Sequence, residues 1–362
     1  MGEISTMSES VIDTPAPADL SGGGMGDPVT VRARKAEGPW RAGLRKLRQD
    51  RTAMGSVIVL IIVVLACCSA SLFANRISQS DPFQSNLDGQ ITIGSNTLDV
   101  MAADTAGLGL GVTPIGPTWH GQYFFGADNQ GRDVAARMLY GGQNSLLISF
   151  SATVVCLVLA AIVGTIAGFA GGLTDTILAR LLDVLWAFPI YLLAISLSIV
   201  LISKGLQIGP INIPSNSLLI PIAIIGIVYV PYVARPIRGQ VLSLTRSDFV
   251  LASRCLGVPA ARILLRDILP NVTTTIIVFA PLMMALNMLT ESALSFLSIG
   301  VQPPAASWGT IIQDGEDLLY TRPWVAIAPG LAIIITVLAL NFLGDGVRDA
   351  FDPRAKLRVR KG

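Results

Sequence analysis

Six long apolar runs, at about 55–74, 145–170, 184–203, 217–234, 272–297 and 325–344, decide what this chain can become. Each is near the roughly 20 residues that a helix needs to cross the hydrocarbon core of a bilayer. No water is available there, so backbone N–H and C=O groups must be satisfied inside the segment, and helices of this length meet that demand. The expected fold class is an all-α integral membrane protein with six transmembrane helices. Only 14% of the 362 residues are charged, against about 25% in soluble domains. Pro189, Pro221, Pro231, Pro281 and Pro329 fall within these runs and are expected to kink them, with neighbouring helices satisfying the freed carbonyls.

Orientation follows from basic residues, which accumulate in cytoplasmic loops. Of the 26 Lys and Arg, 21 lie before the first run, in 171–183, in 235–271 and after the last run, and five lie in 75–144, 204–216 and 298–324. The two sets alternate along the chain only if both termini are cytoplasmic. Residues 1–39, rich in Ser, Pro, Gly and Asp, cannot bury enough apolar surface to order themselves and are expected to form a disordered cytoplasmic tail. The basic, amphipathic stretch within 40–54 suits an interfacial helix at an anionic leaflet. Residues 75–144 form an external insertion between helices 1 and 2, where runs such as Gln90-Ile91-Thr92-Ile93 suggest short strands in hairpins. Residues 145–344 form the helical core, and 345–362 a basic cytoplasmic tail.

Several chemistries are excluded. The single histidine, His120, cannot build a histidine metal cluster, and Cys67, Cys68, Cys156 and Cys255 show no metal-ligand spacing and no expected disulfide. No phosphate-cradling GxxxxGK[ST], HExxH or GxSxG motif occurs, so neither nucleotide hydrolysis nor hydrolase catalysis by this chain is expected. No catalytic, cofactor-binding or metal-binding residue is assigned.

The cytoplasmic stretch Ser247–Asn271 reads as helix, stop, helix. Ser247 suits an N-cap and Asp248 the first turn. Phe249, Ala252 and Leu256 recur on one helical face. Gly257 suits a left-handed stop, and Pro259 forbids simple continuation. A second run from Ala260 is expected to end at Pro270. Ala252, Gly257 and Leu269-Pro270-Asn271 stand at the spacing of the "EAA" loop of ABC-importer permeases, and the stretch resembles that loop. Leu251 occupies the usual Glu position and Asp267 a common His position. The resemblance implies that the short helix docks on a separate ATPase subunit through Phe249, Ala252, Arg254, Leu256, Gly257, Pro270 and Asn271.

Four further motifs resemble the dipeptide/oligopeptide branch of that family, so the likeness covers about 120–355. Phe125-Gly126, Asp128-Asn129 and Gly131-Arg132-Asp133 match one signature. There, Asp128, Arg132 and Asp133 read either as contacts for an external solute-binding protein or as the side chains that hold a turn, with Asp133–Leu139 opening an interfacial helix. Gly171-Gly172, Asp175, Arg180, Asp183 and Phe188-Pro189 match a second. Asp183 suits an i, i+3 pair with Arg180, and Phe188-Pro189 would bend span three and open a wall of the pathway. Span five carries Asn287, Thr290 and Glu291, then Ser295-Phe296, Gly300-Val301-Gln302-Pro303-Pro304 and Ser307-Trp308-Gly309. An intramembrane carboxylate is costly unless paired, protonated or wet. Asn287 and Glu291 share a face and read either as a polar wall of the translocation pathway or as buried groups hydrogen-bonded to another helix or to a partner subunit. Trp308 and Trp324 are placed at headgroup level. Asn341, Gly344, Asp345, Arg348, Asp349, Asp352 and Pro353 match the last, with a short ion-paired helix expected around Arg348.

The resemblance implies a C-type permease subunit of a peptide importer in a bacterial plasma (inner) membrane. Its implied partners are a homologous B-type permease subunit, two ATPase subunits that carry ATP and Mg, and an extracytoplasmic solute-binding protein. Nickel or another small solute is the alternative cargo within that family. A self-sufficient secondary transporter, with Glu291 or Asp183 as its ion site, is the alternative outside it.

Overall fold

The computed structural model describes residues 39–93, 96–103, 111–208 and 210–351. The expected N-terminal tail through residue 38, Ser95, and the C-terminal run with Asp352 and Pro353 lie outside them. The described chain opens with α1 (Pro39–Gln49), α2 (Arg51–Cys68) and α3 (Ala70–Phe73), which ends in a π-helical turn at Ala74–Ser78. Strands β1 (Gln90–Ile93), β2 (Asn96–Asp99), β3 (Met101–Ala103) and β4 (Val112–Pro114) follow. Then come α4 (Val134–Ala170), α5 (Gly172–Ala187), α6 (Ile190–Lys204), β5 (Leu206–Ile208) and β6 (Ile211–Ile213). The rest is helical: α7 (Leu219–Val228), α8 (Val230–Thr245), α9 (Asp248–Cys255), α10 (Ala260–Ile263), α11 (Leu269–Phe296), α12 (Trp308–Asp314) and α13 (Trp324–Phe351).

Four helices, Arg51–Cys68, Val134–Ala170, Ala260–Phe296 and Trp324–Phe351, are long and apolar enough to span, and two bent pairs raise the number to as many as six. The pair α5/α6 bends by 88° and α7/α8 by 43°. Pro189 makes the sharper break: Phe188 before it is extended, as a pre-proline residue prefers, and Pro189 caps α6. Pro231 stands in the first turn of α8, at the second break. The other three prolines do not break their helices. Pro221 lies in the first turn of α7, where a missing N–H costs little, and Pro281 and Pro329 sit inside continuous helices. The interfacial helix expected over Asp133–Leu139 is no separate element. It is the start of α4, which runs 37 residues, about 55 Å at 1.5 Å per residue.

Asp133 starts that helix: its Oδ1 accepts from the amides of Ala135 (2.8 Å) and Ala136 (3.2 Å). Asp50 starts α2 in the same way, and the hydrogen bond from the Thr52 hydroxyl holds its carboxyl below the usual range. The expected short strands form antiparallel hairpins, β1 with β2 and β3 with β4, and β5 pairs with β6 in a third that the sequence did not announce.

Helix α4 is the axis of the packing, running along α8, α11 and α7. Its Ile148, Ala152, Cys156 and Ala160 enter one core with Ile224, Val233, Ile237, Met283 and Leu294. The closest approach is at Gly164 and Gly168. A Cβ there would stand 2.7 Å from the Ala234 carbonyl oxygen and 2.8 Å from that of Arg238. Small residues four apart let helices pack backbone to backbone where lipid supplies no hydrophobic drive between them. Trp308 is buried inside the protein and is not presented to lipid. Its ring lies over Gly142, where a Cβ would meet Cζ2 at 2.8 Å, and its Nε1 donates to Met138 O at 2.9 Å. Burial is possible because the glycine makes room and the carbonyl satisfies the indole N–H. Trp324 remains half-buried, in an aromatic cluster with Trp119 and Phe125.

Gly168→Val should therefore force α8 away and cost about 1–3 kcal/mol, read as a lower Tm of the detergent-solubilised protein. Gly330→Ala, in α13 with nothing within 4 Å of its would-be Cβ, should leave Tm unchanged. Equal Tm for wild type and Gly168→Val would contradict the close α4–α8 contact.

Candidate functional site

The hairpin from α9 to α11 is built much as its residues dictate. Ser247 occupies the N-cap position, but its hydroxyl donates back to Leu244 O and does not cap the amides of the first turn. Val250 is fully buried against the main core, and this anchors α9. The opposite face is open: Phe249 is 47% exposed, Leu256 83% exposed and Ala252 exposed. Arg254 is exposed in the last turn. Gly257 has φ +73° with nothing within 4 Å of a would-be Cβ, so its backbone conformation, not crowding, calls for glycine.

The second run does not end at Pro270. Ala260–Phe296 is one continuous helical stretch in which the π-turn Leu264–Ile268 precedes Pro270 in the first turn of α11. Proline has no N–H to give the preceding turn, and a π-turn is a register change that accommodates such a lost bond. Asn271 Nδ2 donates to Asp267 O (2.7 Å), while Gln240 of α8 donates to Asn271 O (3.2 Å). The hairpin is thus tied to α8 at one end and is continuous with α11 at the other.

Phe188 (51% exposed) and Pro189 lie open at the α5–α6 break. Behind them, charged pairs tie α5 to α8. Arg238 holds both carboxylate oxygens of Asp175, Nη2 to Oδ2 at 2.8 Å. Asp183 sits 3.8 Å from Arg180, as its spacing suggested, but its shorter partner is Arg235 at 2.9 Å. The Arg235 guanidinium also lies 5.3 Å from the Trp186 ring centroid, and Tyr232 stacks on that ring.

Asn287 and Glu291 are fully buried and bonded within this chain. Asn287 Nδ2 donates to Thr153 Oγ1 (2.9 Å), and Ser295 Oγ to Glu291 Oε1 (2.8 Å). Ser292 Oγ stands 3.5 Å from Glu291 Oε2, and the side chains of Ser145 and Ser307 lie beside the carboxyl. Thr290 Oγ1 shares a hydrogen bond with the Tyr229 hydroxyl at 2.8 Å. Reading span five alone misses these partners. A signal did exist: Ser145, Ser149 and Thr153 recur at i, i+4, i+8, a polar stripe on one face of α4.

At the far end of α4 the turn from Phe125 to Asp133 is also inward-facing at its charged residues. Buried Asp128 accepts from the amides of Gln130 (2.9 Å) and Arg132 (3.1 Å), pairs with Arg132 Nε (2.8 Å) and pairs with Arg137. Asp314 of α12 closes the network on Arg132 (3.0 Å) and Arg137 (2.7 Å). Asp133 Oδ2 accepts from Ser78 Oγ (2.6 Å) and Tyr123 N (2.9 Å). Burial pushes the Tyr123 phenol above its ordinary range, although Asn86 donates to it. Arg137 and Asp314 had no signal in the sequence, because 177 positions separate them. Around Arg348 the expected short helix is simply the end of α13, and no ion pair joins it to Asp345 among the described residues.

Two family models match the chain: "Binding-protein-dependent transport system inner membrane component" over 160–357, and "N-terminal TM domain of oligopeptide transport permease C" over 38–93. The dipeptide transport system permease protein DppC of Alkalihalophilus pseudofirmus is 32% identical over 322 residues, 89% of this chain and 92% of that protein. The oligopeptide transport system permease protein OppC of Bacillus subtilis is 34% identical over 324 residues, 90% of this chain and 92% of that protein. Its namesake in Haemophilus influenzae is 33% identical over 315 residues, 87% and 88% of the two chains.

The buried carboxyl gives a test. Glu291→Gln keeps the volume and can still bond its serine neighbours, so Tm should hold. Glu291→Ala strands buried hydroxyls and opens a cavity, and should cost about 2–4 kcal/mol. Thermal unfolding of both variants in detergent checks this, and a loss equal in the two would show that the carboxylate charge itself is needed.

Proposed function

The chain belongs to the family of binding-protein-dependent transport system inner membrane components, and from that premise we propose that it is a permease subunit of an ATP-binding-cassette importer that passes peptides. Support for peptide cargo is that three of its relatives are dipeptide and oligopeptide permeases. In this reading it pairs with a homologous B-type permease subunit. Two ATPase subunits carrying ATP and Mg bind the α9 end, and an extracytoplasmic solute-binding protein delivers cargo at the α12 end. The chain sits in the inner (plasma) membrane with both termini cytoplasmic.

The observation that carries the coupling role is the open face of α9. Phe249, Ala252 and Leu256 stand exposed on a helix whose other side is locked into the core by Val250. An ATPase groove that covers this face can push α9 as a rigid lever on α8, with α11 following through the α10 segment. Ligands at either end would then bias inward and outward states by differential affinity. Phe188 and Pro189, open at the α5–α6 break, are proposed for the pathway wall. Asn287 and Glu291 brace α11 and α4 behind it, and Asp128, Arg132 and Asp133 hold the outer cap that the binding protein meets.

Native Cys255 is exposed in α9 and reports orientation directly. In a Cys68→Ser background an impermeant maleimide should spare Cys255 in intact cells, label it in inside-out vesicles, and label Asn216→Cys from outside. Labelling of Cys255 in intact cells would reverse the proposed topology.

The coupling role is tested at Gly257. A β-branched residue at φ +73° costs roughly 1–2 kcal/mol, whereas asparagine tolerates that region. Gly257→Val should insert normally yet lose binding-protein-stimulated ATP hydrolysis and uptake, and Gly257→Asn should keep most of both. Phe249→Ala should weaken ATPase association by about 1.5–3 kcal/mol if the ring becomes fully buried. Full uptake in both Gly257→Val and Phe249→Ala would end the case for this loop as the coupling element.

A further inference from the structure

We propose that the outward stripe of α1 is a binding surface for anionic phospholipid headgroups. One side of α1 is committed to packing. Gly43 is buried so tightly that a Cβ would stand 2.7 Å from the Phe351 ring, and at Gly346 of α13 a Cβ would lie 2.5 Å from Ala53 and 3.5 Å from Leu47. The start of α2, the end of α13 and this face of α1 therefore form one packed corner. Positions 41, 44 and 48 fall on the opposite side of a 3.6-residue helix, and Arg41, Leu44 and Arg48 are all exposed there.

The chemistry of the stripe selects its occupant. Between residues 41 and 51 the chain carries five Lys and Arg and a single acid, Asp50. That acid is occupied as the cap of α2, and α1 itself carries no carboxylate. Only Asp50 separates α1 from α2, the first helix long enough to span, which fixes the stripe at the edge of the hydrocarbon. Leu44, 48% exposed between the two arginines, suits the boundary between headgroups and acyl chains, where basic side chains reach phosphate and an apolar neighbour dips inward. An acidic protein surface would match the charge but has no use for that leucine. The assignment does not depend on which side of the membrane α1 occupies.

The test uses the full chain with Cys68→Ser and Cys255→Ser and a fluorophore on Gln49→Cys. It is reconstituted in phosphatidylcholine vesicles with phosphatidylglycerol in both leaflets. Quenching by brominated phosphatidylglycerol, relative to brominated phosphatidylcholine, measures the local preference. The preference should exceed one, fall with added salt, and drop about fivefold for each of Arg41→Gln and Arg48→Gln, the equivalent of about 1 kcal/mol per arginine near an anionic surface. Arg41→Lys with Arg48→Lys should retain it. Equal quenching by the two lipids in the unmutated stripe, or a preference that salt and the glutamine variants leave unchanged, overturns the proposal and leaves an acidic protein surface as the occupant.

Discussion

The backbone contact between α4 and α8 at Gly164 and Gly168 sets the position of nearly everything else. Helix α4 carries the Asp133 cap at one end and the hydroxyl stripe of Ser145, Ser149 and Thr153 along its middle. Helix α8 carries, beyond its end, the α9 hairpin. With lipid outside, there is little hydrophobic gain in bringing two such helices together, so close van der Waals packing has to do it. The glycines make the approach possible because the carbonyls of Ala234 and Arg238 occupy the space a side chain would need.

Several polar groups inside the helical core find a partner on a neighbouring helix. Asn287 reaches Thr153 and Thr290 reaches Tyr229, while Glu291 is surrounded by serine hydroxyls from α4, α11 and the start of α12. The Asp128, Arg132, Arg137 and Asp314 cluster joins the turn before α4 to α12. These groups gain less from attraction than they would lose if a partner were removed, because an orphaned buried charge costs several kcal/mol. They specify which helices sit together.

The hairpin of α9 and α10 is where such a rigid arrangement can be moved from outside. Its inner side is locked by Val250, its outer side is open, and its turn is set by one glycine in the left-handed region. On the proposed reading an ATPase acts on that open face. The unbroken path from Ala260 to Phe296 then carries the displacement past the hydroxyl cluster to the α12 end.

The sequence by itself determined the membrane character, the mostly helical fold, the stop at Gly257 and the hairpin at Gln90. Each of these depends on local length, periodicity or backbone conformation. It also carried the family motifs in order. It misjudged features whose energy depends on distant partners. Trp308 looked like an interfacial aromatic, but Gly142 and the Met138 carbonyl bury it. Pro270 looked like a terminator, but a π-turn absorbs it. The Asp183–Arg180 pair that the spacing suggested does form, but the spacing could not show Arg235, which stands closer from another helix. Glu291 left two readings open because nothing near it in the chain shows which hydroxyls it meets. Only the tertiary structure supplied those partners, since a polar group in hydrocarbon is governed by whichever partner packing brings within about 3 Å, and that partner can lie more than a hundred residues away.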